Sequence, residues 1–324
     1  MKFSVIIPVY NRPDEINDLI QSIVNQKFRD LEIIVIEDGS SIPSNKIINT
    51  FKSKINLQYH KTSNQGPGLA RNHGVKFANG EWIIFLDSDC TIPENYFYDV
   101  NNFLKLNVDI HFFGGPDKSK KSFSFLQKAI NHSMTSLFTT GGIRGSKYSI
   151  DKFLPRSFNM GIKKNKFLET GGFSSMRFGE DLDLTYRLLS SGAKSSIIKQ
   201  AYVYHKRRNS LFGFFNQIFS SGQARVQLNQ KHKGTFRLFH LLPSLFTIFF
   251  ILIHLLLLFK IDFNLILLIQ FTYGVYFVLI FFESTIINKN PVVGFLSVIT
   301  TFVQFFAYGL GYFRAWITFY LWQK

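Results

Sequence analysis

Trp82-Ile83-Ile84-Phe85-Leu86-Asp87-Ser88-Asp89 decides the fold. Five apolar residues bounded by turn chemistry have the length and composition of a strand buried on both faces. They end on two carboxylates separated by a single residue, where strand gives way to loop. Carried on a turn, these side chains can converge on one hard cation instead of facing opposite ways. A divalent ion held by one or two carboxylates keeps positions open for phosphate oxygens. Asp-x-Asp is also common in surface turns, so the surrounding sequence has to decide.

Working outward, apolar runs alternate with helical patterns over residues 1 to about 110. Ser4 to Pro8, Leu31 to Ile36 and Leu57 to His60 read as strands. Asp14 to Gln26 reads as a helix with Ile16, Leu19, Ile20 and Ile23 on one face, and Gly68 to Ala78 as another. Near-continuous apolar strands separated by helices predict a parallel sheet covered on both sides. Ligands of such sheets sit beyond the carboxyl ends of the strands. Those ends carry Pro8-Val9-Tyr10-Asn11, Glu37-Asp38 and Asp87-Ser88-Asp89, so three polar turns are expected on one edge. Lys118 to Ser157 has no clear period and reads as a mobile segment over that edge or as a plain connection.

Ordered motifs run through this region: Ser4-Val5-Ile6-Ile7-Pro8-Val9-Tyr10-Asn11-Arg12, Ile36-Glu37-Asp38-Gly39-Ser40-Ser41, Asn64-Gln65-Gly66-Pro67-Gly68-Leu69-Ala70-Arg71-Asn72 and Phe85-Leu86-Asp87-Ser88-Asp89. Gly171-Gly172-Phe173 and Gly179-Glu180-Asp181-Leu182-Asp183-Leu184, with Arg187, follow. Over residues 3 to 206 the chain resembles the family 2 glycosyltransferases, inverting enzymes with the Rossmann-like GT-A fold. The resemblance implies a nucleotide pocket lined by Pro8, Tyr10 and Asn11, with Asp38 accepting from the base and Arg71 approaching the nucleotide. Arg71 as a solvent-exposed helix charge is the alternative. It implies that Asp89 holds Mn²⁺ or Mg²⁺, with Asp87 on the ribose or on the metal through water. His205 stands where several members place a third metal ligand, or else it is a surface residue beside Lys206-Arg207-Arg208. Asp181 is implied as the general base, with Glu180 beside the substrate, because inversion needs a carboxylate opposite the leaving nucleotide. A helix N-terminus favours acidic residues for dipole reasons alone, which covers Asp183. Asn159-Met160-Gly161 resembles the segment that shapes the sugar pockets.

Two departures narrow the reading. The Gln-x-x-Arg-Trp motif of processive synthases has no full equivalent; the nearest stretch, Gln217-Ile218-Phe219-Ser220-Ser221-Gly222-Gln223-Ala224-Arg225, lacks the Trp. Polyprenyl-phosphate sugar synthases typically carry a Gln where this chain has Thr91, which weakens that alternative.

The charge is +16, and no acidic residue falls between Asp183 and Asp262. Ten basic residues, from Arg187 to Arg237, precede the first of three uncharged apolar runs: Leu241 to Phe259, Phe263 to Phe282 and Pro291 to Phe313. Each run is about long enough to cross a ~30 Å hydrocarbon layer as a helix. A basic block before a span marks the cytoplasmic side and attracts anionic headgroups, which favours lipid over nucleic acid as partner. The start of the chain has no signal-peptide pattern. The single Cys90 excludes an internal disulfide and fits a reducing compartment.

The expected organisation is a catalytic domain over 1–206, a basic amphipathic interface segment over 207–240, and about three transmembrane helices over 241–324. Three crossings would set the C-terminus on the far side, which Arg314 and Lys324 disfavour; an interfacial return of Tyr312 to Lys324 is the alternative. The expected activity is transfer of one sugar from a UDP-, GDP- or dTDP-sugar to a lipid-linked saccharide at the cytoplasmic face of the inner membrane. A polyprenyl-phosphate glycosyltransferase is the second enzymatic reading, and a non-catalytic membrane scaffold is a reading of another class.

Overall fold

Strands β1 (Phe3–Val9), β2 (Leu31–Asp38), β3 (Leu57–Thr62) and β4 (Trp82–Leu86) pair in parallel as β3-β2-β1-β4. This is the computed structural model of the chain, and it describes residues 1–143, 153–259 and 263–322. The chain divides into two compact units, Met1–Lys120 with Ile143–Lys206, and Lys121–Gly142 with Arg207–Lys324.

In the first unit, α1 (Pro13–Val24), α2 (Asn45–Asn49) and α3 (Pro67–Val75) link the parallel strands. After β4 come a two-residue strand β5 (Cys90–Thr91), α4 (Tyr96–Leu106), β6 (Phe112–Gly114) and β7 (Asp117–Lys118). Successive strand residues face opposite sides of the sheet. Phe3, Val5 and Ile7 therefore enter one core with α1 and Tyr96, Phe97 and Val100 of α4. Ile6, Ile34 and Ile83 enter a second core on the other side. Two apolar faces explain why these strands show no polar alternation.

The second unit takes α5 (Phe125–Thr135) and α6 (Leu137–Thr140) out of the segment that has no sequence period. Residues 121–142 of the segment expected as a mobile cover or a plain connection thus form helices grouped with the other unit. Ser124 caps α5 with a full capping box, its hydroxyl accepting from Gln127 N and Gln127 returning to Ser124 N. Part of the expected cover, residues 144–152, lies outside the described residues.

Back in the first unit, β8 (Asn159–Lys163) runs antiparallel between β4 and β6. Then α7 (Lys164–Glu169), α8 (Glu180–Ser190), β9 (Ser195–Ile197) and β10 (Val203–His205) complete it. The main sheet has the order β3-β2-β1-β4-β8-β6-β9, and β5-β10-β7 form a small second sheet. Leu184 and Leu188 of α8 pack into the second core beside Ala70 and Val75 of α3.

The second unit continues with α9 (Leu211–Lys231), a 3-10 turn at Leu238–Leu241, α10 (Leu242–Leu258), α11 (Phe263–Asn288) and α12 (Pro291–Trp322). Among the described residues, three helices are long and apolar enough to cross a membrane, over Leu238–Leu258, Ile266–Asn288 and Pro291–Tyr320. Ser284 and Ser297 share a buried 2.7 Å hydrogen bond between α11 and α12, the kind of contact that replaces hydrophobic drive between apolar helices. The helix expected among headgroups, α9, lays Phe214 and Ile218 against Ala307 of α12 and leaves Phe212 exposed. Gly222 and Gly311 permit the approach, since a Cβ on either would meet the backbone of the opposite helix. The interfacial return of Tyr312 to Lys324 is not formed over Tyr312–Trp322, because α12 runs unbroken to Trp322.

Gly161 in β8 lies opposite Phe113 of β6, and a Cβ there would fall on the Phe113 ring. Gly161→Ala is expected to cost about 1–3 kcal/mol by overpacking, read as a lower unfolding midpoint.

Candidate active site

The carboxyl ends of β1, β2 and β4 share one sheet edge, as the parallel register Val9↔Glu37 and Ile6↔Phe85 requires. At the end of β1, Pro8 is buried, Tyr10 is half exposed, and Asn11 takes the left-handed conformation with φ 52°. Asn tolerates that region because its short polar side chain bonds locally. Asn11 Oδ1 accepts from Ile42 N at 2.9 Å and Ser41 Oγ at 3.1 Å. At the end of β2, Asp38 Oδ1 accepts from Gln65 N and Oδ2 from Gly66 N, each at 2.9 Å. Both oxygens therefore hold the loop that enters α3. Asn159 departs from the expectation of a sugar-pocket residue. It is fully buried, accepting from Tyr96 Oη at 2.6 Å and donating to Ala201 O at 2.7 Å, so it braces β8.

Arg71 sits one turn into α3 and is only 2% exposed, so the solvent-exposed alternative is excluded. One nitrogen lies 2.5 Å from Asp87 Oδ1 and the other 3.0 Å from Glu180 Oε1. Burial works against its charge, but Asp87 and Glu180 more than offset it and hold the guanidinium above its ordinary pKa. The same arginine therefore joins the end of β4 to the first residue of α8. Burial and the adjacent Asp181 push Glu180 up to about 7, with Arg71 pulling the other way. Asp183, three residues on, is fully buried and paired with Arg187 at 2.9 Å. Arg187 also donates to Thr170 O and Gly172 O at 2.5 Å each, clamping the Gly171-Gly172 turn.

The last acid of the Asp-x-Asp turn meets a different set of groups. Residue pairing of β10 with β5 sets His205 opposite Cys90. His205 Nε2 comes within 3.2 Å of Asp89 Oδ1, and Arg12 pairs with Oδ2. Burial raises the pKa of Asp89, yet His205 and Arg12 together hold it well below the usual carboxylate range. The Phe158 ring lies 5.1 Å from the imidazole and limits where it can turn. Asp89, Cys90 and His205 offer ligand atoms within 4.8 Å of one another. Asp89 Oδ1 is buried and has no hydrogen bond of acceptable geometry, so a lone pair remains for a cation. A carboxylate suits a hard divalent ion such as Mn²⁺ and an imidazole can join it as a ligand, whereas the Cys90 thiol hydrogen-bonds Phe158 O at 3.8 Å and is buried as packing. Asp87, expected on the ribose or on the metal through water, pairs its Oδ1 with Arg71 and stays partly exposed.

Asp181 opens α8 with Glu180. Its Oδ1 accepts from Leu182 N at 2.7 Å, and its Oδ2 lies 3.4 Å from Arg156. Two site residues thus went unassigned in the sequence reading. Arg12 stands inside a quoted motif, and its signal was its place two residues past Tyr10. Arg156 lies in a segment with no period, where nothing marks it.

The profile of glycosyl transferase family 2 matches residues 4–179, more than half of the chain. The chain belongs to glycosyl transferase family 2. It is similar to the minor teichoic acid biosynthesis protein GgaB of Bacillus subtilis (strain 168), 29% identical over 213 residues, 64% of this chain and 23% of that protein. It is also similar to the poly(ribitol-phosphate) beta-N-acetylglucosaminyltransferase TarS of Staphylococcus aureus (strain Mu50 / ATCC 700699), 36% identical over 108 residues, 32% of this chain and 19% of that one. The chain spans less than a quarter of the length of either relative. Among solved structures, the fold resembles the mannosyltransferase PcManGT from Pyrobaculum calidifontis in complex with GDP-Man and Mn²⁺. That match has TM-score 0.66 and 13% identity, covering 93% of this chain and 86% of that one. S. aureus TarS 1-349 in complex with UDP matches with TM-score 0.50 and 22% identity, over 77% and 71% of the two chains. The family 2 fold, a mostly parallel sheet followed by three apolar helices, is the one expected from the sequence.

Removing one partner of a buried ion network costs about 3–5 kcal/mol, and Arg71→Ala is expected to do so in denaturant unfolding. Arg71→Lys should recover only part of the loss, since an ammonium cannot fork across two carboxylates. Glu180 gives a pH signature. Its folded pKa lies above the ordinary 4.5, so its contribution to stability is intact below that value and is lost as pH rises through about 7. The melting temperature of Glu180→Gln relative to the parent protein should therefore climb between pH 5 and pH 8; a difference flat in pH would contradict the raised value.

Proposed function

We propose that this chain is an inverting, metal-dependent glycosyltransferase. It moves a single sugar from a nucleoside-diphosphate sugar to a lipid-linked saccharide at the cytoplasmic face of a membrane. The observation that carries the reading is the charge layout on one sheet edge. Asp89 and His205 form a partly buried pair, and Asp181 at the mouth of α8 is paired with Arg156 rather than with Arg71. Asp89 and His205 would hold the divalent ion. When bound, that ion supplies charge to stabilise a departing diphosphate. Tyr10, half exposed at the same edge, is offered as a surface for the nucleotide, with Pro8 and Asn11 shaping the loop that carries it. Asp87 would remain oriented by Arg71 toward the ribose.

Asp181 would accept the proton of the acceptor hydroxyl as that oxygen bonds the anomeric carbon and the glycosidic bond to the diphosphate breaks. One displacement inverts the centre, so no covalent enzyme intermediate is formed. Relatives named for teichoic acid biosynthesis and poly(ribitol-phosphate) glycosylation support a saccharide or polyol polymer acceptor. Neighbours solved with UDP and with GDP-Man and Mn²⁺ support a nucleotide-sugar donor and a divalent ion. The three apolar helices and the basic stretch before them support placement at a membrane, with the basic side cytoplasmic.

The reading is tested on detergent-solubilised protein with a panel of UDP-, GDP- and dTDP-sugars and Mn²⁺. One donor should raise the melting temperature in the presence of Mn²⁺ and lose that effect with EDTA. Asp89→Asn is expected to abolish the Mn²⁺-dependent shift. Asp181→Asn should keep it while transfer or donor hydrolysis falls about 10²–10⁴-fold. Full activity in Asp181→Asn would remove the base assignment, and no donor effect with any nucleotide would remove the enzymatic reading.

A further inference from the structure

The ribbon that carries His205 has a second side. In the antiparallel pair of β5 and β10, His205 lies opposite Cys90 and Tyr204 lies opposite Thr91. Successive strand residues face opposite ways. Cys90 and His205 therefore turn toward Asp89, while Thr91 and Tyr204 line a separate cleft of about 870 Å³. That volume falls within the range of about 300–1,000 Å³ typical of small-molecule sites.

One wall of the cleft is aromatic. Tyr202 and Tyr204 pack edge to face with ring centroids 5.4 Å apart, and their hydroxyls lie 3.4 Å from each other. Lys118 Nζ stands 3.5 Å from the centroid of the Tyr202 ring and Lys120 Nζ 5.7 Å from that of the Tyr204 ring, within cation–π range of each. The mutual hydrogen bond and partial burial push the Tyr202 phenol up to about 12, so at neutral pH it is a hydroxyl. The facing wall is the polar side of α1, with Asn17, Asp18, Gln21 and Asn25. A solvated polar face on a surface helix is ordinary. A pair of half-buried tyrosines in mutual edge-to-face contact across from it is not explained by solvation.

The two walls are tied together. Ile92 N donates to Ser22 Oγ at 3.2 Å, and Gln26 Nε2 donates to Pro93 O at 2.8 Å, pinning α1 to the loop after β5. The cleft is thus formed before any ligand arrives, which reduces the ordering cost of binding.

From this layout we infer that the cleft on the Tyr202–Tyr204 side of the ribbon is a second saccharide-binding site, separate from the Asp89–His205 edge. A pyranose offers a C–H face to an aromatic ring and a rim of hydroxyls to amides and carboxylates. The tyrosine wall and the amide-rich α1 wall match those two surfaces. The charge of the lining selects among saccharides. Asp18, Glu94 and Asp99 of the lining outnumber Lys120 and the Lys118 ammonium that sits on the Tyr202 ring. The site is therefore suited to uncharged or amino-bearing sugars and disfavours phosphate- or carboxylate-bearing chains. Because one peptide separates Tyr204 from His205, a sugar chain held here would be presented beside the reaction edge without occupying it.

The site does not rest on transfer chemistry, and the experiment keeps the two apart. The full chain, in a detergent without a sugar headgroup, is applied to an array of neutral, amino-bearing and acidic oligosaccharides. The strongest ligand is then titrated by calorimetry. The expected result is saturable binding of a neutral or amino-bearing oligosaccharide, undiminished in Asp181→Asn and in Asp89→Asn. Affinity should fall at least tenfold in Tyr202→Ala and in Asp18→Ala, and stay near the parent value in Tyr202→Phe, which keeps the ring. Should Tyr202→Ala fail to fold, Asp18→Ala and Gln21→Ala on the exposed helix face decide. No ligand on the array, binding confined to acidic glycans, or affinity unchanged in the cleft variants would each overturn the inference. Binding lost in Asp89→Asn but kept in the cleft variants would assign the sugar to the other edge and overturn it as well.

Discussion

A guanidinium is held almost out of water at Arg71, between Asp87 at the end of β4 and Glu180 at the start of α8. Taking a charge out of water costs several kcal/mol unless its partners are close and well aligned. The cost makes the arrangement demanding. The α3 helix, the β4 terminus and the α8 N-terminus must all be in place before the arginine is compensated. Two residues beyond Asp87 comes Asp89, and one beyond Glu180 comes Asp181. The acids assigned to chemistry therefore hang from a frame whose electrostatics are already satisfied. Asp87 and Glu180 use their charge on that frame, which leaves Asp89 and Asp181 facing other groups.

The second demand falls on β10. Without it, Asp89 would be an acid on a turn, as countless surface turns carry. Antiparallel pairing with β5 brings His205 to within 3.2 Å, and the Phe158 ring restricts the imidazole. The same pairing turns the tyrosines of the ribbon the other way. A two-residue strand thus divides the reaction edge from the polar cleft behind it, and the side-chain period of two does the dividing.

The helical unit obeys different rules. Its long helices gain little from burying apolar surface against one another where the surroundings are equally apolar, so close packing and shared hydrogen bonds decide their contacts. Gly222 and Gly311 let α9 and α12 touch backbone to side, and Ser284 meets Ser297 between α11 and α12. This is why α9 turns Phe214 and Ile218 inward while Phe212 stays exposed, as suits a helix whose composition also fits lipid headgroups. Composition reports which residues are apolar, and only packing reports what covers them.

The strands β1 to β4, the helices between them and the three apolar helices were readable from local order, because near-continuous apolar runs and 3.6-residue periods are local signals. So was the shared edge, since parallel strands in sequence order place their carboxyl ends together. The ordered motifs pointed to family 2 for the same reason, each being a contiguous stretch. Contacts across large sequence separations were decided by the tertiary structure. Arg71 reaches Glu180 across 109 residues, His205 reaches Asp89, and Arg156 reaches Asp181. Tertiary packing also spent Asp38 on a loop and Asn159 on a brace, roles that residue type alone could not distinguish from ligand contacts. The sequence by itself determined which groups stand at the edge of the sheet. Only the folded chain decided which of them are neutralised by their own neighbours and which keep lone pairs for something else, because a charge's partner depends on distance in space and not along the chain.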